Sequence, residues 1–188
     1  DGHSLQQMLE ASGHLPVETA VDLGAQVADA LDHALGFGIV HRDVKPANIL
    51  LENGGERAKL TDFGLACTAD RARLTPQGVI AGTPMYMAPE QARGEATDHR
   101  ADLFSLGSVL YVMVCGRPPF VGGSLAVVLR QQVQEMPKPP SQVRPGVPAY
   151  VDKIIARAMA KQPDQRYQKA EEMVAQLEMA AAMADEVW

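Results

Sequence analysis

Residues 98–115, within DHRADLFSLGSVLYVMVCGRPPF (98–120), are apolar on nearly every side of a helix. A helix with no polar face must be buried all round, so the remaining elements have to pack about it as a single core. Its most apolar run, VLYVMVC (109–115), is far shorter than the roughly 20 residues that cross a bilayer, and it reads as the middle of a buried helix. Asp102 lies inside this helix and must find hydrogen-bond partners there.

Apolar residues at Ala20, Val21, Leu23, Gly24, Val27, Ala28, Leu31 and Ala34 follow a helical period, opened by Pro16 and Glu18 and stopped at Gly36. Two short apolar runs come next, GIV (38–40) and ILL (49–51), read as strands. ENGG (52–55) then forms a turn before a further short strand, AKLT (58–61). Further helices are expected at 124–135 behind a Ser124 cap, at 148–160 and at 168–183, with the proline-rich linker MPKPPSQVRPGVP among them. The expected fold class is mainly α with a small β-hairpin unit. From Asp62 to Glu90 no period is sustained, and a loop longer than about 12–15 residues in a compact domain is usually functional or disordered.

The 188 residues are enough for one domain with a real core, and the net charge of −6 argues against a nucleic-acid surface. Two cysteines, Cys67 and Cys115, make no disulfide framework, and the expected setting is reduced and cytoplasmic. The start at DGHSLQQ has neither Met nor a signal peptide, which suggests a fragment. Any membrane contact is then expected only through segments outside this chain.

The chemistry concentrates in HRDVKPANIL (41–50). Phosphoryl transfer needs a carboxylate to orient the attacking hydroxyl, hard oxygen ligands for Mg²⁺, and a cation near the moving phosphate. Asp43, Asn48 with Asp62, and Lys45 are groups of these kinds, and pairing of the flanking strands would bring Asn48 and Asp62 to one end of a hairpin. These residues alone do not name a reaction.

HRDVKPAN (41–48), DFG (62–64) and APE (88–90), in this order and spacing, resemble the eukaryotic-like (Hanks-type) serine/threonine protein kinases. The wording is closest to the bacterial receptor-like branch. GTPMYMAPEQ (82–91) and QPDQRY (162–167) extend the likeness, which matches the C-terminal lobe of that fold over residues 1–188. It implies a catalytic loop at 41–48, an activation segment at 62–90 and a helical subdomain at 98–183. It implies a reaction that moves the γ-phosphate of ATP, with Mg²⁺ or Mn²⁺, to Ser/Thr hydroxyls of protein substrates.

By the same resemblance Asp43 takes the hydroxyl proton, Lys45 contacts the phosphate, and Thr83 bridges toward both. Asn48 and Asp62 hold metal, and Leu50 packs on the adenine. His41 and Phe63 stack above Asp102, and Glu90 pairs with Arg166. Arg42 would order the activation segment by binding a phosphate, at Thr75 in preference to Thr68.

The family's N-terminal lobe is expected to be absent. GFGIVH has His41 where a third glycine would fall, and no lysine precedes Lys45. The implied partners are protein substrates, that missing lobe, which would cover Leu50 and Phe63, and a second kinase copy as dimer partner. The expected parent is cytoplasmic or the cytosolic domain of a membrane-anchored protein, and the chain alone is expected to transfer little phosphate. A non-catalytic interaction module of truncated kinase fold is the alternative. A small-molecule phosphotransferase is disfavoured by the long 62–90 loop and APE.

Overall fold

The computed structural model describes residues 2–63 and 84–185. In chain order the elements are β1 (His3–Ser4), α1 (Leu5–Ser12), α2 (Val17–Gly36), β2 (Ile49–Glu52), β3 (Arg57–Leu60), α3 (Pro89–Ala92), α4 (Arg100–Cys115), α5 (Leu125–Gln134), α6 (Pro140–Val143), α7 (Ala149–Ala158) and α8 (Ala170–Asp185). Single 3-10 turns stand at Pro46–Asn48, Asn53–Gly55, Pro84–Tyr86 and Pro163–Gln165. No helix among the described residues is long and apolar enough to cross a membrane.

The axis of the fold is α4, in which every residue from Ala101 to Val114 is buried. Phe104, Leu106 and Val109 are fully buried, and burying each such side chain is worth roughly 1.5–3 kcal/mol. α2 and α7 pack against α4, and α8 lies along α2. Two glycines permit these close approaches. A Cβ at Gly107 would stand 2.8 Å from the Cβ of Ala158 in α7, and one at Gly24 would stand 2.6 Å from Leu110 Cδ2 in α4.

The small strands form one antiparallel sheet ordered β1-β2-β3, with Leu50 opposite Ser4 on one side and Lys59 on the other. The hairpin read from ILL and AKLT is present, and β1 adds a strand to it. β1 runs into α1 through a capping box. Ser4 Oγ accepts from the Gln7 N–H at 3.2 Å, and Gln7 Oε1 accepts from the Ser4 N–H at 2.9 Å.

Two expectations are corrected. GIV (38–40) is not a strand, because its amides close α2 instead. The Ile39 N–H bonds back to Ala34 O at 3.0 Å and the Gly38 N–H to Leu35 O at 2.8 Å, with Gly38 left-handed at φ 72°. That is a Schellman ending, and it leaves those donors nothing to give a ladder. The proline-rich linker also contains a helical turn, α6, whose Ser141 donates its N–H and hydroxyl to Asp152 of α7.

Candidate functional site

The site begins with the polar demand of α4. Asp102, buried in that apolar helix, accepts the His41 N–H at Oδ2 (2.8 Å) and the Arg42 N–H at Oδ1 (2.7 Å). Burial pushes its carboxyl up from the ordinary aspartate value, against the lowering pull of these two amides. The bonds hold a backbone that would not otherwise stay: Arg42 is left-handed at φ 66°. Such a conformation costs an L-residue roughly 1–2 kcal/mol. The Arg42 carbonyl is held from the other side by Gln91 Nε2 at 3.0 Å, while Gln91 Oε1 accepts the Ala88 N–H at the start of α3.

His41 joins the loop to the hairpin. Its Nε2 lies 2.7 Å from Thr61 O, and the Asp43 N–H lies 3.2 Å from its Nδ1. A carbonyl can only accept and an amide N–H can only donate, so the proton sits on Nε2 and Nδ1 is the acceptor. The Phe63 ring meets the imidazole edge-on, with centroids 4.7 Å apart.

Beyond His41 the three polar groups of the loop converge on one oxygen. Asp43 Oδ2 receives Lys45 Nζ at 2.8 Å and Asn48 Nδ2 at 3.1 Å, and Asn48 Nδ2 also reaches the Asp43 carbonyl at 2.9 Å. Asn48 therefore spends its amide nitrogen on Asp43 and keeps Oδ1 as an acceptor. The hairpin register sets the neighbour: the Thr61 N–H donates to Asn48 O at 2.9 Å, and Asp62 follows at the same end, exposed and left-handed at φ 62°.

Arg42 and Asp62 are the two non-glycine residues with positive φ among those described. Both sit in this site, where strained backbone tends to collect. An amide oxygen and a carboxylate at one hairpin end suit a hard cation that takes its other ligands from water and phosphate. Among the described residues no group of three or more His, Cys, Asp or Glu side chains could hold a metal unaided.

The segment after the loop is clamped to the core. Arg166 and Glu90 form a buried bidentate pair, Nη1–Oε1 at 2.6 Å and Nη2–Oε2 at 2.7 Å. Ser105 of α4 donates its hydroxyl to Tyr86 O at 2.7 Å. Burial pushes the Tyr86 phenol up to about 12. Lys45, Pro46, Met85 and Tyr86 line a cavity of about 390 Å³, together with Leu9 and Glu10 of α1. Leu50 and Phe63 are each 37 % exposed on the face beside the hairpin.

The structure thus brings together His41, Arg42, Asp43, Lys45, Asn48, Asp62, Phe63 and Asp102, with Glu90 and Arg166 joined nearby. Thr68, Thr75 and Thr83 lie outside the described residues. Sequence reasoning missed Gln91 and Ser105, which hold the loop and the Pro84–Tyr86 turn. Ser105 carries a signal, since a hydroxyl inside an all-apolar helix needs an acceptor.

A family model described as the protein kinase domain matches residues 1–177. The serine/threonine-protein kinase PknB of Mycobacterium leprae is 42 % identical over 178 residues, covering 94 % of this chain and 28 % of that protein. A probable serine/threonine-protein kinase of Clostridium perfringens, CPE1738, is also 42 % identical, over 95 % of this chain and 26 % of its own length. A probable PknB of Bifidobacterium longum is 43 % identical over 91 % of this chain and 25 % of its length. The chain spans about a quarter of the length of these curated relatives.

Proposed function

The chain belongs to the protein kinase family, and its relatives are named serine/threonine kinases; on that premise we propose that loop 41–48 and the β2–β3 hairpin serve transfer of the ATP γ-phosphate to serine and threonine hydroxyls of proteins. The observation that carries this reading is the convergence of Lys45 and Asn48 on Asp43 Oδ2. It orients the carboxylate and leaves Oδ1 as the oxygen these two contacts do not use, the one to receive a hydroxyl proton. As the hydroxyl oxygen bonds to the γ-phosphorus, its proton passes to Asp43 and the bond to the leaving ADP oxygen breaks. Lys45 stands one ion-pair length from that carboxylate, where a cation meets charge on the moving phosphoryl group.

Asn48 Oδ1 and Asp62 are the donors that would hold Mg²⁺. A metal bound there would neutralise phosphate charge. Leu50 and Phe63, part-exposed beside the hairpin, form the face on which adenine and the family's glycine-rich lobe would pack. Glu90 with Arg166, and Asp102 with His41 and Arg42, act as supports for this chemistry. Protein substrates are the partners this reading requires, in a cytoplasmic setting and with a second kinase copy as a further partner. Thr83 would bridge Asp43 and Lys45, and a phosphate on Thr75 would be met by Arg42.

The test is transfer of labelled γ-phosphate to a protein acceptor by the protein in its full reading frame, with Asp43→Asn as the control. Loss of a positioned general base costs about 10²- to 10⁴-fold. Equal transfer by D43N would overturn the assignment. Binding of ATP with no turnover in the wild type would favour the interaction-module reading instead.

A further inference from the structure

Met85 and Tyr86 of the turn Pro84–Tyr86 line the same cavity as Lys45 and Pro46. Whatever holds that turn sets the width of the groove that an approaching protein chain would meet. Its third carbonyl, Tyr86 O, takes the Ser105 hydroxyl, and the other two share one side chain, with Pro84 O also accepting the Met87 N–H at 3.2 Å. Gln132 Nε2 donates to Met85 O at 2.6 Å and to Pro84 O at 3.3 Å.

Gln132 is fully buried on the inner stripe of α5, four residues after the buried Val128. Its Oε1 is buried without a hydrogen-bond partner, so its amide is oriented by the two donor bonds alone. Gln132 is in turn held from behind, because its own main-chain carbonyl accepts Lys161 Nζ at 2.8 Å. Lys161 reaches that carbonyl past two rings, 4.7 Å from the Phe120 centroid and 5.4 Å from that of Phe104. Among the described residues it makes no ion pair.

A lysine packed this way is costlier to bury than a methionine of the same length. What the ammonium adds is a grip on the Gln132 carbonyl in the last turn of α5, where a cation is favoured by the helix dipole. Phe104 also lies under the Arg166 guanidinium, 5.0 Å from its centroid. Two cations grouped round one ring therefore hold the 84–92 segment: Arg166 through Glu90, and Lys161 through Gln132.

We propose that Lys161 and Gln132 are positioning residues, a two-step relay that sets the Pro84–Tyr86 wall and thereby the binding of the protein substrate rather than of ATP. The proposal rests on the reading of the site as one that phosphorylates proteins.

The test compares Lys161→Met, Gln132→Met, the double variant and Lys161→Arg in the full reading frame. Loss of a charge-assisted bond at the end of the relay predicts a rise in KM for the protein acceptor on the order of tenfold, with kcat and KM for ATP within about twofold. The double variant should be no worse than the worse single, and K161R, which keeps a cationic donor, should recover most of the loss. Deuterium exchange over residues 84–92 should speed up in K161M while exchange in α2 and α8 does not.

An unchanged acceptor KM, an equal rise for ATP, or unchanged exchange at 84–92 would each overturn the relay. If the wild type transfers no phosphate to protein, the reading of the reaction fails, and the exchange experiment still decides whether the relay holds the wall. If K161M does not fold, Q132M and K161R carry the same comparison.

Discussion

Replacement of Glu90 by Gln keeps the shape of the side chain and removes the partner of Arg166, a fully buried charge. Arg166 has five N–H donors, and the structure gives each an acceptor. Nε goes to Ala160 O at 2.8 Å; Nη1 goes to Glu90 and to Arg100 O at 3.1 Å; Nη2 goes to Glu90 and to Lys161 O at 3.2 Å. The Arg166 side chain is 0 % exposed and that of Glu90 6 %, so no water can replace the lost carboxylate. In E90Q an amide NH₂ faces guanidinium donors, and the cation is left with carbonyl dipoles alone. Breaking a buried pair from one side costs about 3–5 kcal/mol. In a chain of 188 residues, at about 2–4 °C per kcal/mol, the midpoint should fall by about 6–20 °C. Thermal and urea unfolding followed by circular dichroism would measure it, with Arg166→Met and the E90Q/R166M pair completing a double-mutant cycle. The two single losses should exceed the double loss by at least about 2 kcal/mol. An E90Q midpoint within about 2 °C of wild type, or strictly additive losses, would refute the clamp.

Asp102→Asn puts an NH₂ against the N–H of either His41 or Arg42, so one buried amide loses its acceptor. Stability should drop by about 1–3 kcal/mol, and hydrogen exchange at residues 41–42 should quicken before exchange elsewhere. Gly107→Ala drives a methyl to within 2.8 Å of the Ala158 Cβ, and overpacking of α4 against α7 should cost about 1–3 kcal/mol by urea unfolding. Between pH 8 and 10 the stability profile has two opposed contributions among the described residues. Burial, helped by nearby Arg166, pushes Lys161 down to about 8 from 10.5, so between those values the unfolded chain holds a proton that the folded chain has shed, and stability rises with pH. Discounted for partial solvent screening, the gain is about 1–2 kcal/mol, and K161M should flatten it between pH 8 and 9. Burial pushes the Cys115 thiol up to about 11 from 9, so above pH 9 the folded chain keeps a proton that the unfolded chain loses, and stability falls. Cys115→Ala should remove that fall between pH 9 and 10, below the range in which the raised phenols of Tyr86, Tyr111 and Tyr167 add their own.

Much of this architecture was legible because its strongest signals are one-dimensional. The run 98–115, apolar nearly all round, marked a central helix, and α4 is buried from Ala101 to Val114. The 3.6-residue stripe from Ala20 to Ala34 marked α2, and turn chemistry at ENGG marked the β2–β3 hairpin that brings Asp62 to the same end as Asn48. β1 and α1 went unread although SLQQ carries the Ser-x-x-Gln of a capping box, because a two-residue strand has no period to find. GIV misled for the opposite reason. Its β-branched residues favour a strand, but Gly38 two residues beyond Gly36 lets the chain turn left-handed and spends the Ile39 amide on α2.

What sequence could not supply is how polar groups distribute their bonds, since that depends on the third dimension. Asp102 was flagged as a carboxylate in need of partners, and those partners are main-chain amides 60 and 61 residues away. Gln132 is harder still. At the end of an amphipathic helix a glutamine reads as a solvated residue, and only its place four residues after Val128 puts it on the inner stripe. There it donates across 47 and 48 residues to carbonyls of the cavity wall. Lys161 reaches it from beyond α7, across 29 residues. The residues that act on charge in this site cluster within one loop and one hairpin, where spacing reveals them. Those that hold the loop and the wall in place are scattered over α3, α4, α5 and the turn after α7, each bonding main-chain atoms that carry no sequence signature. A motif in this fold therefore names its chemistry, while the rigidity that makes the chemistry selective is written in single buried polar residues of otherwise apolar helices.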